Sequence, residues 1–243
     1  MAMRRKEFAA RIWSKLMAYE RAHRFLRQGD RILAAVSGGP DSVCLAHYLA
    51  SQKKKKGFFL ALLHVNHGLR GKDAEHDAEF VRRLGESLDV PVKAIKVPVT
   101  ARSRLRRKGI EDAARELRYK AIKLAASQLQ CNKAATAHQL DDQAETVLLH
   151  LLRGTKLAAL GGIPPQRPLA KGLVLIRPLL PLKKLEVLNY LRIHGLAYRI
   201  DRSNRSLRFT RNWMRLKILP ALEKRQPRVR EHLAGIAEQV QKL

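Results

Sequence analysis

Four short clusters of polar residues in this chain have the composition and spacing to do chemistry. The first, Ser37-Gly38-Gly39-Pro40-Asp41-Ser42, follows an apolar run at 31–36 and precedes a helical pattern from residue 43 to about 50. Between a strand and a helix, free backbone N–H groups and the helix dipole favour an anion. Two glycines let the backbone curl around phosphate oxygens, and Ser37 and Ser42 add hydroxyl donors. Neither the GxxxxGKS/T pattern nor GxGxxG is present. The loop has an acid where those patterns have a lysine, and polyphosphate repels Asp41 unless Mg2+ bridges them. The hexapeptide therefore predicts a metal–nucleotide complex with Asp41 as the Mg2+ ligand. A glycine turn whose Ser and Asp merely cap the helix is the plainer alternative.

The second cluster spans residues 64–70, where His64, Asn66 and His67 close an apolar run and Arg70 follows. A small apolar strand end followed by Asn, His and Gly can accept adenine or ribose. In the third, Glu111, Arg115 and Arg118 fall at i, i+4 and i+7, so one helix face presents an acid and two guanidinium forks. A surface salt-bridge ladder has the same spacing. In the fourth, His138, Asp141, Asp142 and Glu145 recur at i, i+3, i+4 and i+7, on one face at the mouth of a helix. Acids in a first turn also complement the macrodipole, at about 0.3–1 kcal/mol each, but that leaves His138 unexplained.

The elements that must position these clusters alternate. Apolar runs at 31–36, 58–65, 92–97, 132–137 and 173–176 read as strands, and amphipathic patterns at 74–88, 111–129 and 141–152 as helices. Such alternation predicts an α/β fold, a parallel sheet with helices on both faces. Ligands then bind outside the carboxyl ends of the strands, where Ser37, residues 64–67, His138 and Arg177 fall. From residue 183 the pattern is helical, with a last helix at 229–240.

Lys and Arg number 49 against 21 Asp and Glu, a formal charge of +28. With 46% hydrophobic residues the chain is globular, not a basic disordered tail, and the excess charge predicts an anionic partner. Arg202, Arg205, Arg208 and Arg211 repeat every three residues, and Arg102, Arg104, Arg106, Arg107 and Lys108 crowd a short stretch. Such patches suit RNA phosphates, or else form a solvated basic surface. The run Lys53 to Lys56 reads as a solvated loop. Cys44 and Cys131 are isolated, which argues against a disulfide framework and a zinc or iron–sulfur site. No apolar run reaches the roughly 18 residues of a membrane span. The basic, amphipathic start lacks a signal-peptide apolar region and reads as a surface helix, with an organellar transit segment as the alternative.

Ser-Gly-Gly-Pro-Asp-Ser after a hydrophobic strand resembles the signature of the N-type ATP pyrophosphatases, which split ATP into AMP and pyrophosphate by adenylating a substrate oxygen. The segments at 64–70 and 111–119, the His138 to Thr146 stretch, Arg153-Gly154-Thr155 and Gly161-Gly162-Ile163-Pro164-Pro165 resemble the tRNA(Ile)-lysidine synthetases within that superfamily. Arg177-Pro178-Leu179-Leu180, Asp201-Arg202-Ser203-Asn204 and Thr210-Arg211-Asn212 extend the resemblance over about residues 28–225. Ser206, where the family usually has Asp, and Lys156 to Ala159 depart from it.

The resemblance implies a Rossmann-like adenine-nucleotide α-hydrolase fold, with a catalytic domain at 1–220 that includes the N-terminal helix, and a helical extension at 221–243. It implies ATP and Mg2+, a CAU-anticodon tRNA(Ile) whose wobble cytidine is adenylated, and free L-lysine as the amine that displaces AMP. Ser37, Gly38, Gly39, Pro40, Asp41, Ser42, His64, Asn66 and His67 would hold ATP. Arg115 and His138 would offset charge as pyrophosphate leaves, and Asp141, Asp142 and Glu145 would receive lysine or take its proton. Arg205, Arg208 and Arg211 would meet tRNA. A bacterial cytoplasmic enzyme without a membrane partner is expected, and a homodimer is left open. The alternatives are a tRNA thiolase of the same superfamily and a noncatalytic nucleotide- or RNA-binding module.

Overall fold

A computed structural model describes residues 2–66, 72–97, 110–154, 156–200 and 210–243. His67, Arg70, the 102–108 patch, Arg202, Arg205, Ser206 and Arg208 lie outside the described residues, as does the side chain of Glu111.

The chain runs α1 (Ala2–His23), β1 (Arg31–Ala35), α2 (Pro40–Lys56), β2 (Phe59–Asn66), α3 (Lys72–Ser87), β3 (Val92–Lys96), α4 (Ile110–Gln128), β4 (Lys133–Ala135) and α5 (Leu140–Leu152). A 3-10 turn (Leu157–Gly161), β5 (Gln166–Ala170), β6 (Leu173–Ile176) and α6 (Lys184–Ile193) follow. The last elements are α7 (Thr210–Trp213), a π-helical stretch (Met214–Ile218), α8 (Leu219–Arg225) and α9 (Val229–Val240).

The strands form one sheet in the order β3-β2-β1-β4-β6-β5. Every neighbouring pair is parallel except β5 with β6, which is antiparallel. Alternation within β1 explains the two-faced core. Ile32 and Ala34 pack with Leu60 and Leu62 against Leu45, Tyr48 and Leu49 of α2 and Val187 and Leu191 of α6. Leu33 points the other way, with Leu63, Ala134 and Leu175, onto Ile122, Ala125 and Ala126 of α4. Burial on both faces is why these strands are continuous apolar runs.

Strand order reverses between β1 and β4: β2 and β3 extend to one side of β1, β6 and β5 to the side of β4. Loops leaving the carboxyl ends of β1 and β4 part at this switch point, where such sheets usually form a ligand crevice.

Two expectations need correcting. Lys53 to Lys56 are the last turn of α2, not a loop, because lysine is a good helix former and favoured at a helix C-terminus. Lys53 pairs with Asp89 at 2.9 Å and Lys56 with Glu20 at 2.5 Å. Strand β5 was not expected. It is an edge strand with alternating exposure and a proline, Pro168, and so lacks the apolar run that marks the interior strands. The amphipathic start is a packed helix: Ile12 and Leu16 of α1 are fully buried, and Trp13 meets Tyr48 edge-on at 5.8 Å.

Candidate active site

The phosphate loop connects β1 to α2. Gly38 has φ +88°, where a side chain would be strained, and a Cβ there would stand 3.3 Å from Phe80 Cδ1. Gly39 is the N-cap of α2 and no side chain caps that helix; Pro40 in the first turn lacks an N–H anyway. The serines shape the loop from within. Ser42 Oγ donates to the Gly39 carbonyl (2.8 Å) and accepts from the Ser37 amide (3.2 Å). Ser37 remains exposed at the loop's rim.

His64 is buried at the end of β2, and its Nδ1 donates to the Val36 carbonyl at 3.0 Å. It therefore props the backbone entering the loop. Asn66 ends the same strand, and its carbonyl accepts from the Val97 amide at 2.8 Å.

Asp41, in the first turn of α2, faces a residue that sequence reasoning missed. Lys184 Nζ lies 2.7 Å from both Asp41 oxygens. Burial raises the Asp41 carboxyl above the ordinary carboxylate range, and the Lys184 ammonium pulls it back. A signal for Lys184 was available: it begins α6, and a cation in a first helical turn opposes the macrodipole unless an acid meets it.

Across the crevice, Gln139 and Asp142 form a capping box at the start of α5. Gln139 accepts from the Asp141 amide, and Asp142 Oδ2 from the Gln139 amide, each at 3.0 Å. First-turn capping thus explains part of the acidic run. Glu145 is buried with both oxygens on guanidinium groups. Arg211 Nε reaches Oε2 at 2.9 Å, and Arg215 reaches Oε1 at 2.6 Å through Nε and Oε2 at 2.9 Å through Nη2. Both arginines also touch Asp142 Oδ1 at 3.2 Å. Asp141 accepts from the Lys184 amide (2.8 Å) and from Arg230 Nη1 (2.7 Å).

The acidic face is therefore not a bare pocket waiting for an external amine, as its charge suggested. Cations from the C-terminal helices fill it. Arg211, expected at the tRNA, is one of them. Arg215 and Arg230 were not foreseen, although Arg215 stands four residues after Arg211 and shares its face.

His138 follows β4, with Nδ1 3.0 Å from Thr136 Oγ1. Burial, then Arg177, Arg211, Arg115 and Arg118, hold its imidazole well below the usual histidine range, so it is neutral at pH 7. Arg115 and Arg167 each stack over Tyr119 at 5.3 Å. Arg177 is buried, donates to the Pro164 carbonyl at 2.5 Å and, among the described residues, has no hydrogen-bond partner for its Nε. Several guanidinium groups around one neutral imidazole make this side of the crevice a place for anions. Gln143 ties the following loop to α5: it accepts from the Ile163 amide (2.6 Å) and donates to the Ile163 carbonyl (3.2 Å). Gly162, at φ +58°, leaves it room, since a Cβ there would strike Gln143 Oε1.

Among the described residues no three His, Cys, Asp or Glu side chains cluster to enclose a metal. Asp41 at the loop, with Asp142 near enough to act on it electrostatically, suits Mg2+. That ion is commonly held by one or two carboxylates together with substrate phosphates.

The model of the PP-loop domain matches residues 9–222. The tRNA(Ile)-lysidine synthase of Petrotoga mobilis is 36% identical over 225 residues, 92% of this chain and 70% of that protein. The chain belongs to the tRNA(Ile)-lysidine synthase family of PP-loop proteins. The bifunctional protein TilS/HprT of Listeria monocytogenes is 39% identical over 91% of this chain, and the chain spans 34% of that relative's length. In fold the chain is similar to the U34-tRNA thiolase NcsA of Methanococcus maripaludis, with a TM-score of 0.79 and 21% identity over 98% of this chain and 80% of that one. Among the described residues no helix is long and apolar enough to cross a membrane.

Proposed function

We propose that the chain attaches lysine to the wobble cytidine of the CAU-anticodon tRNA(Ile), forming lysidine at the expense of ATP. The observation that carries this reading is the crevice at the β1/β4 switch point. A phosphate loop with its acid lies on one side, and a half-buried histidine among arginines, beside paired carboxylates, on the other. Family membership supports the choice of reaction.

In the first step the cytidine C2 oxygen attacks the α-phosphorus, a P–O bond forms, the α–β anhydride breaks and pyrophosphate leaves. The Ser37–Ser42 loop binds the phosphates through backbone N–H groups and hydroxyls, and Asp41 would hold Mg2+, which would supply neutralisation of phosphate charge. Arg115 and Arg177 stabilise the charge that moves onto pyrophosphate, and neutral His138 can donate one hydrogen bond without adding a fixed charge. In the second step the lysine amine attacks C2, a C–N bond forms, the C2–O bond breaks and AMP leaves. The lysine ammonium enters beside Glu145 and Asp142 by taking over contacts that Arg211 and Arg215 hold, and gives up its proton to one of these carboxylates before attack.

A thiolase reading gains nothing from the cysteines. Cys44 packs on the α2 face of the sheet and Cys131 on the α4 face, so the two cannot act as a pair there. The test is pyrophosphate release from ATP, and AMP release when lysine is also present, with unmodified CAU-anticodon tRNA(Ile) and with the same tRNA carrying uridine at the wobble position. Release with cytidine only is expected. Release that ignores the wobble base would overturn the reading.

A further inference from the structure

The phosphate loop contains no lysine of its own, yet anhydride cleavage leaves pyrophosphate facing an aspartate. The fold supplies the missing cation from 143 residues away in sequence: Lys184, whose Nζ bridges both oxygens of Asp41. Its backbone is fixed, because its amide donates to Asp141 Oδ2 at 2.8 Å while α6 begins there. Its side chain is not locked in. It is 38% exposed against 31% for Asp41, and a lysine stem rotates freely about its anchor. The neighbouring arginines are otherwise committed: Arg215 and Arg211 to Glu145 and Asp142, Arg230 to Asp141 and Glu223.

We propose that Lys184 is the phosphate-binding lysine of this site, an ammonium paired with Asp41 that contacts the β- and γ-phosphate oxygens of a bound nucleotide. The physical reason is charge balance. A half-buried Asp41 needs a cation, and Lys184 supplies one on a flexible stem. A metal–nucleotide complex in the loop would still carry net negative charge, and the Lys184 ammonium, placed at the loop's own aspartate, is the cation positioned to meet it. Lys184 thus keeps the carboxylate in place and binds the leaving group.

The inference rests on the ATP reading above, and the test separates the two. Calorimetry on the full chain with Mg2+ would measure α,β-methylene-ATP, inorganic pyrophosphate and AMP. The unmutated chain should bind the analogue. Lys184→Met should weaken the analogue and pyrophosphate about tenfold or more, the size expected for one charge-assisted contact, and leave AMP within about twofold. Lys184→Arg should recover most of the loss. Should Lys184→Met unfold, Asp41→Asn/Lys184→Met removes the pair together and should bind pyrophosphate at least about tenfold more weakly than Asp41→Asn alone. Analogue binding unchanged in Lys184→Met, or AMP lost in parallel, would overturn the proposal and spare the ATP reading. No analogue binding by the unmutated chain would overturn both.

Discussion

Asp41 sits where burial raises its carboxyl above the ordinary range, and Lys184, then Arg215, draw it back. Asp41→Asn should keep the fold, since the amide still accepts from Lys184, but lower tRNA-dependent pyrophosphate release at least about a hundredfold by displacing Mg2+. Retained release with Mg2+ as sole metal would remove Asp41 from the metal site. His138 allows a pH prediction. Burial and then its arginine neighbours hold it well below 6.5, and His47 is brought down to about 4 by burial and then His194. In the unfolded chain both take a proton near 6.5; in the folded chain both stay neutral. The unfolded state therefore binds more protons below 6.5, and stability present above that value is lost as pH falls. The melting temperature should drop between pH 7 and pH 5, and His138→Gln should flatten the drop. Parallel curves for the two proteins would show that His138 does not titrate in this way.

The elements meet through charge as well as apolar packing. Leu233 and Ala237 of α9 lie on Ala144 and Val147 of α5, while Glu145 binds α7 and the π-helical stretch through Arg211 and Arg215. Glu145→Gln leaves two guanidinium groups under-compensated. Because they are 34% and 37% exposed, solvent relieves part of the cost, and a loss of about 2 kcal/mol is expected in urea unfolding. A change below about 0.5 kcal/mol would mean that apolar packing alone holds these helices. The interior strands and the phosphate loop were legible in the sequence because burial on both faces and the Gly-Gly-Pro turn are local signals. Strand β5 was not, since an exposed edge with Pro168 has no period to read. The acidic face of α5 was legible, but its partners were not: Lys184, Arg211, Arg215 and Arg230 lie 43 to 89 residues from the acids they bind on that helix, and pairing over such separations is decided by the tertiary fold. Lys184 and Arg215 left weak local traces, a cation at a helix start and an i, i+4 repeat.

For the whole molecule, the charge of +28 is much larger than the site consumes, and Arg211, Arg215 and Arg230 are turned inward onto carboxylates. The remaining cations suit a tRNA backbone. Binding should weaken steeply with salt, and Arg205→Ala and Arg208→Ala should each lower the log–log slope by up to about one unit. A slope near zero would assign the charge to another partner. The chain spans about a third of the Listeria relative it resembles, so the reaction it supports by itself is the central question. Mass spectrometry of nucleosides after incubating the chain with ATP, isotope-labelled lysine and unmodified CAU-anticodon tRNA(Ile) answers it most directly. The account predicts that the wobble cytidine is replaced by lysidine carrying the label. Unlabelled tRNA with its cytidine intact, under conditions where the chain binds ATP and tRNA, would contradict it.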